Sequence, residues 1–299
     1  MAPPRKGLTL ILPSFRYLRP QSLKEAVSML VDTDGAAVLA GGQTLINVLK
    51  LNLAAPTALV DIHRLPELRI IKPAENGALV IGAAATYAQV AADPIVSSAQ
   101  PSVAAMAASL VDRQVRNRGT IGGNCCLNDP TNNFPPLLAA LDARFRIAGP
   151  AGERVLDAAD FFTGTMSTAL TPDEILIAIE IPPLPGNARI AHRHLQIGAD
   201  SWAVARAVVR LDIDAGIVTS ARLVAGAVQN SPVRLHAIET ALTGRAADGS
   251  LPLAALDAFD GTRIVTVDDV HCSAAYRKQM CKIQVRRALE EILAQGSRS

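Results

Sequence analysis

Two glycine pairs are the residues of this chain whose type and spacing could do chemistry. The first lies in Ala40-Gly41-Gly42-Gln43-Thr44-Leu45, the second in Arg118-Gly119-Thr120-Ile121-Gly122-Gly123-Asn124. A diphosphate group needs many backbone N–H donors converging at short range. Glycine supplies them, because it adopts positive φ and has no Cβ to hold a ligand away. A helix N-terminus beyond such a bend adds a partial positive charge worth a fraction of a kcal/mol to ~2 kcal/mol. Gln43, Thr44, Thr120 and Asn124 can add side-chain hydrogen bonds to phosphate or ribose oxygens. Neither stretch is a G-x-G-x-x-G fingerprint, and no lysine follows in the Walker A position. A clamp formed from two separate loops is therefore the better physical picture. Taken singly, either pair can be an ordinary turn; taken together with their neighbours, they point to a nucleotide.

The elements around these residues can be read from pattern. Ser22 with Glu25 is a capping box ahead of a helix over Leu23–Val31. Residues 36–40 form an apolar run, read as a strand feeding the first pair, and 45–53 resume as a helix closed by Pro56. Strands are predicted over 58–62, 68–71 and 77–84, the last after an Asn76-Gly77 turn. The Ala-rich stretch 103–111 has helical character and runs into a basic, glycine-containing segment, 113–123. Residues 135–141 predict a helix with proline in its first turn, and 144–148 and 175–181 predict strands. Pro182-Pro183-Leu184-Pro185-Gly186 is the best linker candidate. Beyond it, 202–213 and 217–228 predict two antiparallel strands around Asp214-Ala215-Gly216, followed by helices over 235–242 and 274–293. Strands followed by helices indicate an α+β second domain.

Composition narrows the function classes. At 299 residues two domains are the natural expectation, and 49% hydrophobic residues suffice for a sizeable core. Only 19% charged and 3% aromatic residues fit a packed α/β or α+β protein rather than a disordered one. A formal net charge of +2 is too small to imply nucleic acid or an anionic membrane as partner. Apolar stretches such as 78–85 fall far short of the ~20 residues that span a bilayer, so no membrane span is expected. The run 8–12 is too short for a secretory signal, which makes the cytoplasm the expected compartment. Of the four cysteines, Cys125 and Cys126 are adjacent and match no C-x-x-C metal spacing, so no metal is assigned to this chain.

At this point a resemblance becomes specific. Residues 38–50 followed by Ala58-Leu59-Val60-Asp61-Ile62 resemble the first flavin loop of the FAD-binding (medium) subunits of the xanthine dehydrogenase and carbon monoxide dehydrogenase group of molybdenum hydroxylases. Val115-Arg116-Asn117-Arg118-Gly119-Thr120-Ile121-Gly122-Gly123-Asn124 resembles that family's second signature almost residue for residue. Ile175-Leu176-Ile177-Ala178-Ile179-Glu180-Ile181-Pro182 is a third match, and Tyr276-Arg277-Lys278 with Arg286-Arg287-Ala288-Leu289 is similar to the family's closing helix. The matches run in order along almost the whole chain.

The resemblance implies an α+β architecture: a two-lobed FAD-binding domain of the vanillyl-alcohol-oxidase (PCMH) type over 7–185, its lobe boundary near 60–70, and a smaller α+β domain over 190–296. It implies a diphosphate on residues 41–44 and 120–124, with Leu39 and Leu45 or Ile46 near the cofactor and Leu110 and Leu176 lining its walls, although each of these can equally be plain core. Two departures stand out. Where the family often places an acidic residue near the adenosine end, this chain has Asn133; Asp129 can substitute for it or cap a turn. The related 4-hydroxybenzoyl-CoA reductase flavin subunit carries a cysteine-rich insertion after the residues matching Gly123 to Leu127, and here there is no room for it, so its extra cluster is expected to be absent. The segment His194-Leu195-Gln196-Ile197-Gly198-Ala199-Asp200-Ser201-Trp202-Ala203 resembles the stretch that approaches the flavin ring. Trp202, the only tryptophan, can stack on the isoalloxazine or fill a domain interface, and His194 can stabilise charge on the reduced ring.

The function so implied is electron transfer: hydroxylation at a molybdopterin centre in a large partner subunit, two 2Fe–2S clusters in a small partner subunit, and FAD in this chain, passing electrons to an external acceptor within a dimer of heterotrimers. No catalytic acid–base pair is needed, and none stands out. Two other readings remain: a self-contained flavoprotein oxidase or reductase of the same fold, and a scaffold subunit without flavin.

Overall fold

The computed structural model describes residues 12–110, 112–198 and 202–296. The run 8–12 therefore lies outside the described residues except for Leu12, as do Val111 and residues 199–201 of the segment resembling the flavin-ring approach.

The described residues open with a small parallel sheet in which Ala58–Asp61 lies between Arg16–Leu18 and Ala36–Leu39. Leu39 is paired with Asp61, so both strands release the chain at the same carboxyl edge, where ligands of open α/β sheets bind. Helix Leu23–Val31 connects the outer strands. The Ser22 hydroxyl accepts the Glu25 N–H at 3.2 Å, while the Glu25 carboxylate accepts the N–H of Gln21, one residue before the cap. Ala26 and Leu30 of this helix join Val60 and Ile62 of the sheet, and Ile175 and Ile177 of the next one, in a shared core.

Between Asp61 and Ile71 the chain passes to a five-stranded antiparallel sheet of order Ile71–Pro73, Leu79–Gly82, Ile175–Ile181, Arg144–Gly149, Gly152–Asp157. Ile175–Ile181 is central and nearly continuously buried, which is why it reads as an apolar run interrupted only by Glu180 rather than an alternating one. Residues 68–71 do not form the strand their apolar character predicts. Pro66 opens a 3₁₀ turn, Pro66–Leu68, where its missing N–H costs nothing, and pairing begins only at Ile71. Helices between residues 87 and 140 cover one face, over a core in which the Phe145 and Phe161 rings stack at 4.2 Å.

After 182–186 a four-stranded antiparallel sheet runs Ala188–Gln196, Ala203–Asp214, Ile217–Gly226, Val233–Arg234. Ala215 (φ 46°) and Gly216 (φ 77°) form the two-residue hairpin turn, both positive as a type I′ turn requires. Strand Ala188–Gln196 escapes pattern reading because its residues are mostly half-exposed without regular alternation. Helix Ala274–Gly296 closes this unit. The unit is fastened to the preceding one where Gly226 lies against Pro136 and the Ala227 N–H donates to the Pro130 carbonyl at 2.9 Å. Among the described residues no helix is long and apolar enough to cross a membrane.

Candidate functional site: a cleft between the glycine pairs

Both glycine pairs open onto one cleft of about 480 Å³, within the usual size range of ligand pockets. The first pair leaves the carboxyl end of Ala36–Leu39 and runs into helix Leu45–Lys50. Gly42 sits at φ +72°, a conformation that side-chain-bearing residues rarely adopt. Its carbonyl accepts the Ile46 N–H at 3.1 Å and starts the helix. The N–H groups of Gly41, Gly42, Gln43 and Thr44 have no acceptor among the described residues. The Thr44 hydroxyl is equally uncommitted, because it makes no cap hydrogen bond. Gln43 turns back, its amide donating to the Gly41 carbonyl at 3.1 Å. This bend is an open concavity of donors.

The second pair is built differently. The pattern predicts a glycine-containing loop over 118–124, but Gly122 and Gly123 form the first turn of helix Ile121–Leu127. Their donors are already used: Gly122 N–H bonds the Ala83 carbonyl at 2.9 Å, Gly123 N–H bonds the Thr120 hydroxyl at 3.0 Å, and Ile121 N–H bonds the Ala85 carbonyl at 3.1 Å. The Thr120 N–H alone in this turn lacks an acceptor among the described residues. Here glycine serves close packing. A Cβ on Gly122 would lie 2.5 Å from the Ala83 carbonyl oxygen, and one on Gly119 would lie 2.6 Å from the Tyr87 ring. A Cβ on Gly41 would fall on the Arg118 carbonyl and 2.9 Å from Gly119 Cα, so the two signatures abut backbone to backbone.

The walls are apolar, from Val38, Ile62, Leu127 and Leu176 among others, and among the described residues the lining includes no lysine or arginine. Tyr87, buried and facing the cleft, shares a hydrogen bond with the Asn124 side chain, and burial pushes its phenol up, so it stays protonated. Asn124 Oδ1 also accepts the Phe134 N–H at 3.3 Å, and its carbonyl accepts the Asn132 amide at 2.8 Å. Glu174 is the one carboxylate among the described lining residues. Arg154 grips it through Nε and a terminal nitrogen, both at 2.7 Å, and the Thr171 N–H adds a third bond. Hydrogen bonding from Arg154 holds this carboxyl near 2, so the group is a fixed, compensated charge rather than a proton carrier. Burial pushes the Cys126 thiol, also in the lining, up to about 12, leaving it neutral.

Of the residues singled out in the sequence, Ala40, Gly41, Gly42, Gln43, Thr44, Leu45, Thr120, Gly122, Gly123, Asn124 and Leu176 line this cleft. Leu39 and Ile46 instead pack beneath Gly42, 3.3 Å from where its Cβ would stand. Leu110 and Ile121 are buried core residues, and the Leu110 carbonyl accepts from Arg116 at 2.8 Å. Asn133 turns away from the cleft: its side-chain oxygen accepts from Arg206, a buried guanidinium of the C-terminal sheet. Asp129 caps a turn, accepting the Thr131 N–H at 2.8 Å. Trp202, 71% exposed, neither lines the cleft nor fills an interface within this chain. His194 is exposed and bonds Gln196. Sequence reasoning missed Tyr87, Glu174 and Arg154. The Arg154–Glu174 pair gives no local signal because its partners meet across a strand pairing and a turn.

An acceptor-only diphosphate fits the open donors of residues 41–44, and flat aromatic rings fit the apolar walls, so the cleft suits a dinucleotide of the flavin type. Residues 13–184 match the sequence model described as "FAD binding domain in molybdopterin dehydrogenase", and residues 190–292 match "CO dehydrogenase flavoprotein C-terminal domain". The carbon monoxide dehydrogenase medium chain of Hydrogenophaga pseudoflava is 34% identical over 94% of this chain and 97% of its own length. The glyceraldehyde dehydrogenase medium chain of Sulfolobus acidocaldarius is 31% identical over 94% and 99%. A solved structure of carbon monoxide dehydrogenase from Hydrogenophaga pseudoflava superposes with a TM-score of 0.90 at 36% identity, covering 95% of this chain and 99% of that one.

The fold is thus that of a mixed α/β oxidoreductase subunit with an FAD-binding domain and a C-terminal flavoprotein domain. This chain belongs to the family of FAD-binding medium subunits of molybdenum hydroxylases.

Proposed function

We propose that the chain is the flavin relay of a cytoplasmic molybdenum hydroxylase, working with a 2Fe–2S small subunit and a molybdopterin large subunit in a dimer of heterotrimers. We take residues 7–185 as the FAD-binding domain, its lobes meeting near 60–70, and 190–296 as the C-terminal domain. When bound, FAD would supply a two-electron store that is filled from the 2Fe–2S clusters and emptied to an external acceptor. The observation that carries the reading is the row of N–H groups from Gly41 to Thr44 that find no acceptor among the described residues, at a cleft whose described lining holds no cation. Those donors would hold the diphosphate, and their dipoles would offset its charge without a lysine. Thr120 N–H and the Thr44 hydroxyl would add contacts from either side. Leu45 and Leu176 would exclude water from the rings. Glu174 is fully engaged by Arg154, which supports a relay over a self-contained oxidase needing a substrate acid or base.

Purified full chain mixed with FAD tests this. A stoichiometric yellow complex that turns over no organic substrate alone, and that gains hydroxylase activity only with molybdenum- and iron-containing partners, is the expected result. A chain that stays colourless, or one that oxidises substrate unaided, overturns it.

A further inference from the structure

The short hairpin Phe162–Gly164 and Ser167–Thr168 and the turn after it hold two residues against the cleft that the phosphate-binding argument does not use. Met166 stands at the hairpin tip, 60% exposed, and lines the cleft. Its φ is +50°, an uncommon conformation for a long side chain and one that persists only when its surroundings enforce it. Leu170 lines the cleft from the following turn.

The enforcement comes from two anchors. Asn128 terminates helix Ile121–Leu127 in the left-handed conformation (φ 44°) and is fully buried. Its amide donates to the carbonyls of Gly164 at 2.7 Å and Ser167 at 2.9 Å, and its own carbonyl accepts the Met166 N–H at 3.1 Å. Three bonds from one residue thus clasp the hairpin on both sides of its tip. The second anchor is Arg154, which donates to the Ala169 carbonyl at 2.7 Å while gripping Glu174, and so pins the turn that carries Leu170. An exposed methionine fixed this firmly in a strained backbone, facing a ligand cleft, is poised to be covered by what the cleft binds.

Resting on the proposal that this cleft holds the flavin nucleotide, we infer that Met166 and Leu170 form a fixed flap packing against the bound nucleotide, and that Asn128 is the positioning residue that sets the flap from the end of the same helix whose start carries Gly122 and Gly123. The flap acts on retention. Removing Met166 would take away apolar contact made only with ligand in place, and so would speed release rather than unfold the chain.

The test is the rate of FAD release from the full chain, with the melting temperature of the flavin-free chain measured alongside. Met166→Gly relieves the positive φ, so the flavin-free chain is expected to melt at the same temperature or higher. Its FAD release is expected to be roughly tenfold faster, and the bound flavin more accessible to iodide quenching. Asn128→Gly keeps the left-handed conformation but loses both amide donors, and is expected to release FAD faster still. Unchanged release and quenching in Met166→Gly would overturn the flap, even if it melted higher. Failure of the unmodified chain to take up FAD would instead overturn the nucleotide cleft, so the two ideas fail separately.

Discussion

The two glycine pairs share a dipeptide and a cleft, yet they differ in what the missing side chains accomplish. At Gly41-Gly42 the backbone is bent so that four consecutive N–H groups have no acceptor among the described residues. At Gly122-Gly123 the N–H groups are already bonded, and the absence of Cβ lets a helix start against the Ala83 backbone. The first pair presents donors as well as permitting contact through Gly41; the second permits contact alone. The lesson is that a glycine pair in a nucleotide protein need not touch phosphate, since it can serve by bringing another element within reach.

This contrast can be broken or sharpened by substitution. The largest effect is expected at Gly122→Ala, where the new Cβ meets backbone 2.5 Å away that cannot yield. A stability loss of roughly 3 kcal/mol should appear in denaturant unfolding of the flavin-free chain. Gly41→Ala puts its Cβ against backbone at least as closely, on the Arg118 carbonyl, and should wedge the first bend away; FAD affinity measured by fluorescence titration should fall by about a hundredfold or more, with a comparable loss of stability. If both substitutions proved mild, the backbone-to-backbone account of the cleft would be wrong. Gly42→Ala forces a side chain to φ +72° but meets only the yielding ends of Ile46 and Leu39, so a cost of about 1 kcal/mol is expected in stability. Thr44→Val removes a hydroxyl that caps nothing, and should leave the melting temperature unchanged while weakening FAD binding a few-fold.

A pH experiment probes another part of the lining, the Arg154–Glu174 pair. Arg154 holds the Glu174 carboxyl near 2 against an ordinary 4.5, so the stabilisation is complete above about 4.5 and disappears as pH falls through about 2. Glu174→Gln should therefore flatten that part of the acid limb of the melting profile. An acid limb of unchanged slope between those values would show that the pair does not hold the wall.

The first bend was legible because strand, glycine pair and helix follow one another within a few residues, so the local pattern contains its own explanation. The second was legible as a signature but not as a structure. Each glycine disfavours a helix by about 1 kcal/mol, so propensity argues for a loop, and only packing against Ala83, far away in sequence, reverses it. Asn133 was expected to face the nucleotide, but Arg206 of the C-terminal sheet captures its side chain, and no local pattern announces that partner. Central strand Ile175–Ile181 was read correctly from its apolar run, broken only by Glu180, whereas half-exposed Ala188–Gln196 offered no periodicity to find. Pattern reaches what neighbours in sequence decide, and the cleft is mostly decided by residues that meet only on folding.

The contact between Gly41 and the Arg118 carbonyl carries a consequence for the order of events in the cell. The donor-bearing bend is synthesised early, yet its contact with the Arg118 carbonyl waits until Arg118 emerges, and the cleft lacks part of its wall until Leu176 follows. Closing such distant contacts is slow compared with forming local turns. On the proposal that this cleft holds the flavin, cofactor uptake follows synthesis of the central strand, because a nascent chain stalled before it has the donor-bearing turn but not the complete cleft wall.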